Sequence, residues 1–149
     1  MRTRIVIGLV GMFVLGLLAL AWPVANVAAD RSPIVLRFDK SDPDGNFVWN
    51  GRVGGDISGN LETRLLEAWQ SGDILHVVFE WDIDADNPNR SFVATLTGTL
   101  NLATGAVVMD GRVTEGFLLG ARVHEEGQLV DPATSQFKGT IQIMPAGSD

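Results

Sequence analysis

From Ile34 onward the chain alternates apolar and polar residues with a period of two. The first such set is Ile34, Leu36, Phe38, and the next is Phe47, Trp49, Gly51, Val53. A third runs Ile57, Gly59, Leu61, Thr63, Leu65, and a fourth Leu75, Val77, Phe79, Trp81. Phe92, Ala94, Leu96, Gly98, Leu100 and Val107, Met109, Gly111, Val113 follow, then Phe117, Leu119, Ala121, Val123 and Phe137, Gly139, Ile141, Ile143. Alternation of this kind predicts antiparallel strands with one face in a core and the other in water. Eight strands are predicted. They are separated by turn-forming strings: Asp42-Pro43-Asp44-Gly45, Ser71-Gly72-Asp73, Asn87-Pro88-Asn89, Ala103-Thr104-Gly105, Thr114-Glu115-Gly116 and Asp131-Pro132-Ala133. Short connections pair sequence neighbours in space, so the expectation is an all-β, up-and-down eight-stranded barrel whose closure removes both sheet edges.

One segment reads two ways. In "NLETRLLEAWQSG" the residues Leu61, Leu65, Leu66 and Trp69 fit either a strand ending in a bulge or a helical face with Asn60 as N-cap and Gly72 beyond its end. Either way Trp69 is expected to be buried. Five glycines, Gly51, Gly59, Gly98, Gly111 and Gly139, share the parity of the large apolar residues and so face inward. Glycine within a strand costs roughly 0.5–1 kcal/mol against alanine, which calls for a structural return. The glycines kink a tightly coiled sheet, leave interior room for a small ligand, or do both. In the second case the pocket walls are expected to be Trp49, Phe79, Trp81, Phe92, Met109 and Phe117.

The first 29 residues differ from the rest. Arg2 and Arg4 precede an 18-residue run without charge or amide, Ile5 to Trp22, followed by Val27-Ala28-Ala29. This is the order of a secretory signal, cleaved after Ala29; an uncleaved membrane anchor through residues 5–22 is the other reading. Residues 1–29 are thus expected to form a signal helix and residues 30–149 a single exported domain, periplasmic or extracellular. Two of the 11 Lys+Arg, Arg2 and Arg4, lie in the leader, so 9 remain against 18 Asp+Glu, a net charge of −9. That surface repels nucleic-acid backbones and anionic lipid. The chain has no cysteine and hence no disulfide staple.

The strands from Phe92 to Met144, with their G-x-aliphatic segments and the T-G hairpin in "GTLNLATGAVVMDGRV", resemble the small barrels of the allene oxide cyclase and dirigent-protein group. The resemblance lies in strands and turns. It implies an eight-stranded barrel that holds an apolar substrate without metal or organic cofactor, and no family active-site residue aligns with a position in this chain.

Candidate chemistry is sparse. Asp82, Asp84 and Asp86 open like a calcium loop, but Asn87 stands where that loop needs glycine and Val93 where it needs glutamate; Asp39, Asp42 and Asp44 are no better placed. "HEEG" at His124 lacks the second histidine of a metalloprotease motif, and His76 lies on a polar parity. No metal site is expected. There is no G-x-S-x-G elbow and no cysteine nucleophile. Glu67 is the one carboxylate whose parity points inward if the third strand continues unbroken, where desolvation would raise its pKa and suit it to general acid–base work. The alternative places it exposed on a helical turn. The expected function is non-catalytic binding of an apolar small molecule or envelope component. The alternatives are a cofactor-free cyclase or isomerase, or a structural domain with a filled barrel. For the native protein, N-terminal sequencing is expected to begin near Asp30; a start at Met1 with the protein in the membrane fraction indicates an anchor.

Overall fold

The computed structural model describes residues 32–145; the expected signal segment, residues 1–29, lies outside them. The strands are β1 (Ile34–Ser41), β2 (Val48–Gly55), β3 (Gly59–Ser71), β4 (Ile74–Ala85), β5 (Phe92–Asn101), β6 (Ala106–Gly116), β7 (Arg122–Asp131) and β8 (Gln136–Met144). Each pairs antiparallel with the next, and β8 pairs with β1 from Ile143 opposite Ile34 to Phe137 opposite Lys40, closing the barrel. One turn of 3-10 helix, Pro88–Arg90, joins β4 to β5, with the Asn87 side chain accepting from the Asn89 amide. Among the described residues no helix is long and apolar enough to cross a membrane.

The meander gives the barrel two unlike ends. The connections β1–β2, β3–β4, β5–β6 and β7–β8 gather at one end, the mouth. The connections β2–β3, β4–β5 and β6–β7 gather at the other, the base, where β1 starts and β8 stops. Inward residues fill the base half: Leu36, Val53, Ile57, Ile83, Phe92, Val113, Ala121 and Ile143 are all buried. Arg90 lies over the Phe117 ring, 5.8 Å from its centroid, as a further cover.

The segment "NLETRLLEAWQSG" is strand with a bulge after Leu65, as in the first of its two expected forms: the β3–β4 register shifts between Leu65 and Glu67, leaving Leu66 as the bulge. Three placements are corrected. A bulge inserts one unpaired residue and reverses the parity beyond it, so Glu67 turns to solvent. Trp69 is not buried; it is 51% exposed and stacks flat on His76, its cross-strand partner, at 5.0 Å. Phe117 and Leu119 do not lie in the seventh strand. Residues 117–120 form the β6–β7 turn, with Leu118 at φ 63° and Gly120 at φ 85°, and the strand begins at Arg122.

The inward glycines sit where neighbouring backbones crowd. Gly51 faces Lys40, Gly59 faces Ala85, Gly98 faces Met109, Gly111 faces Leu96 and Gly139 faces Gly127. A Cβ on Gly98 would lie 2.6 Å from both the Cα and the Cγ of Met109, and against the Val108 carbonyl oxygen. The strong coiling of a small barrel presses one strand onto the next, and glycine permits the approach. Gly98→Ala is therefore expected to cost about 1–3 kcal/mol by overpacking. Its outward neighbour, in Thr97→Ala, should change stability by less than about 0.5 kcal/mol. Denaturant melts check this; equal losses at the two positions contradict the assigned register.

Candidate functional site

The mouth half of the barrel is hollow. A cavity of about 280 Å³ opens there, walled by Trp49, Leu65, Leu75, Val77, Phe79, Leu100, Val107, Met109 and Phe137, with Phe47 at its lip. These side chains come from β2 to β6 and β8, so the wall is supplied by almost the whole ring of strands. Apolar side chains spaced around a cavity with a few convergent polar groups are the usual make-up of a small-molecule site.

Of the polar side chains that line the cavity, Asp42 and Ser135 are at the rim and Lys40 and Glu125 at the floor. Lys40, next inward on β1 after Phe38, and Glu125, next inward on β7 after Val123, both line the cavity. Lys40 Nζ is 3.8 Å from Glu125 Oε1, and their side chains are only 5% and 1% exposed. The distance is that of an ion pair without a short hydrogen bond. An aromatic cage holds the lysine: Nζ stands 3.8 Å from the Trp81 ring centroid, 5.1 Å from Phe38 and 5.4 Å from Phe79. Such contacts stabilise a desolvated cation. Room for the pair comes from glycines. Lys40 lies directly opposite Gly51, and the Phe38 ring rests on the Gly127–Gly139 pair, its Cζ 3.0 Å and 2.8 Å from where their Cβ atoms would be.

The floor is incompletely satisfied. Glu125 Oε2, Thr63 Oγ1 and Trp81 Nε1 are buried without a hydrogen-bond partner among the described residues, and Thr63 faces Trp81 across the β3–β4 ladder. An unmet buried polar atom costs about 1–3 kcal/mol. Desolvation lowers the Lys40 pKa to about 8, against the opposing pull of Glu125. It raises that of Glu125 to about 7, against Lys40 and, from the outer face, His124.

The mouth is held in shape by polar contacts. The buried Asp42 carboxylate accepts from the amides of Asn46 at 3.2 Å and Phe47 at 2.9 Å. These bonds secure Phe47 at φ 63°, a left-handed conformation that strains a residue with a Cβ. Trp49 Nε1 donates to the Ser135 carbonyl oxygen at 2.9 Å, tying the β2 wall to the β7–β8 turn. Phe47, Leu66, Trp69, Leu102 and Val130 are exposed apolar side chains on this half of the molecule, and of these Phe47 lines the cavity.

Of the residues singled out from the sequence, Trp49, Phe79 and Met109 line the cavity, while Trp81 lies beneath its floor against Lys40 and Phe38. Phe92 and Phe117 belong to the base, and Glu67 is on the outside. Asp86 is 3.5 Å from Arg52, and Asp82 stands on the outer face, its pKa raised by partial burial and then by Glu62, Asp84 and Glu80. His124 is outside as well; its Nδ1 bonds Asp110 at 2.7 Å and its Nε2 faces Glu126, which raise its pKa. Among the described residues no group of three His, Cys, Asp or Glu is placed to hold a metal ion. Lys40 and Glu125 were missed by sequence reasoning, although both continue a strand parity already identified.

Comparison with known proteins returns no match, whether to a family profile, a curated protein or a solved structure.

Stability should reveal the buried pair. Replacing both members of such a pair with apolar residues is often neutral or stabilising by about 1–4 kcal/mol, whereas removing one costs about 3–5 kcal/mol. Lys40→Met/Glu125→Leu is expected to melt at or above the wild type, and Glu125→Leu alone well below it under mildly acidic conditions. The sign with pH follows from the shifts. Glu125, raised from 4.5 to about 7, loses stability as pH climbs through that window; Lys40, lowered from 10.5 to about 8, restores it as pH climbs from 8 to 10.5. The wild type should be least stable relative to the double variant between pH 7 and 8, and parallel pH–stability curves would contradict the assignment.

Proposed function

We propose that the protein is an exported, non-catalytic binder of an apolar small molecule bearing one polar group. Residues 1–29 direct its export, and the ligand enters at the mouth with its polar end down. The observation that carries this reading is the one-ended cavity of about 280 Å³, apolar along its walls, with Asp42 and Ser135 at its rim and the Lys40–Glu125 pair at its floor. A packed barrel has no reason to keep a caged, incompletely satisfied ion pair beside a hollow; a barrel that orients a ligand does. The relation to the allene oxide cyclase and dirigent-protein group is part of the same proposal. A cofactor-free cyclase or isomerase is the second reading, favoured by a titratable pair facing an apolar cavity, as acid–base chemistry requires.

The test is binding of an apolar fluorescent dye, paired with native mass spectrometry of protein from its own host. Leu100→Trp, which fills the cavity wall, is expected to weaken dye binding about tenfold or more. Leu119→Ser, an exposed change at the base, should leave it unchanged. Equal dye binding by wild type and Leu100→Trp would refute the reading.

A further inference from the structure

We infer that Lys40 captures its ligand covalently: the cavity takes an aldehyde or ketone with an apolar body and holds it as an imine on Lys40, with Glu125 as proton donor and then counter-ion. This rests on the binding reading above and narrows it to one chemical class.

The argument begins with charge. Lys40 and Glu125 together are neutral, sealed in an apolar interior and 3.8 Å apart. A ligand carboxylate would compete with Glu125 for the only cation at the floor, and a ligand ammonium would compete with Lys40 for the cage. Either would leave a buried charge without its partner, which is strongly unfavourable. A carbonyl group imposes no such exchange, because it reacts with the pair and conserves its total charge.

The balance is complete without an outside reagent. With the shared proton on Glu125, the neutral Lys40 amine attacks the carbonyl carbon, a C–N bond forms, and the carbonyl π pair moves to oxygen. One amine proton passes to that oxygen, giving a carbinolamine. Glu125 then protonates the hydroxyl, the C–O bond breaks, water leaves, and the nitrogen lone pair closes the C=N bond. Amine, aldehyde and carboxylic acid become iminium, carboxylate and water.

The site is arranged for both ends of this change. Desolvation in an apolar pocket is a general way to make a lysine nucleophilic at ordinary pH. The iminium keeps its positive charge at the same nitrogen, over the Trp81 ring and beside Glu125 Oε1. Glu125 Oε2, buried and without a hydrogen-bond partner among the described residues, is a second oxygen available to handle the proton. An iminium has fewer N–H groups to satisfy than an ammonium, so a dry aromatic cage suits it better.

The chain has only one other lysine, Lys138, which is exposed and paired with Asp39 at 3.1 Å on the outer face. It is an internal reference for unselective labelling. The experiment incubates the purified protein with octanal and sodium cyanoborohydride, maps the reduced adducts by peptide mass spectrometry, and measures displacement of the apolar dye by octanal and by octanol. The expected result is labelling of Lys40 at least about tenfold faster than of Lys138, protected by excess octanol. Lys138→Arg should retain the adduct and Lys40→Met should lose it. Glu125→Gln should slow its formation about tenfold or more, within the range of general acid–base assistance. The wild-type map decides the matter even if a variant folds poorly. If octanal and octanol both displace the dye but label appears only at Lys138 and the chain terminus, the imine is overturned and the binding reading stands. If neither displaces the dye and Lys40 is unlabelled, both are overturned.

Discussion

Closure of the sheet is the constraint on which everything else rests. Eight strands paired in sequence, with β8 returning to β1, satisfy the backbone ladder all the way round and leave no edge. The same closure fixes the width of the interior, which for eight strands is about enough for side chains alone or for one small guest. Every inward residue therefore competes for a limited volume. Where strands coil hard against each other, as at Gly98 beside Met109, even a methyl group has no place. The molecule meets this limit differently at its two ends, with branched and aromatic side chains meeting at the base and a hollow left at the mouth.

The buried pair sits at the boundary between those halves. Lys40 and Glu125 belong to strands separated by β8, and they meet because β8 contributes glycine, Gly139, at the level of Phe38. Glycine here lets backbones approach, and the space it leaves at Gly127 and Gly139 is taken by the Phe38 ring. The resulting floor is electrostatically unfavourable in isolation, since desolvation pushes both pKa values toward the neutral forms.

The strands and their parity were legible because inward positions are mostly apolar and alternate strictly, so Leu36, Phe38 and Val107, Met109, Val113 announce themselves. Lys40 and Glu125 obey the same parity but were passed over, because a charge at an inward position looks like the end of a strand when its partner is 85 residues away. Glu125 even lay within a string noticed for a different reason, the "HEEG" at His124. Glu67 faces inward only if the strand parity runs unbroken through Leu66, and there a single bulged residue turns the following side chains outward. Phe92 and Phe117 are inward or half-buried as their apolar character suggests, but which end of a barrel a residue occupies depends on the direction of its strand and the stagger between strands. Periodicity along one strand carries neither.

The placement of the two ends of the domain has a practical meaning. β1 departs from the base and β8 finishes there, so a tether joined to either end of the barrel leaves from the side opposite the cavity. Fastened to a bead, an electrode or a bilayer through such a tether, the barrel would stand like a cup on its foot, open toward the surrounding solution. Reporter groups fused at either end would likewise leave the opening clear.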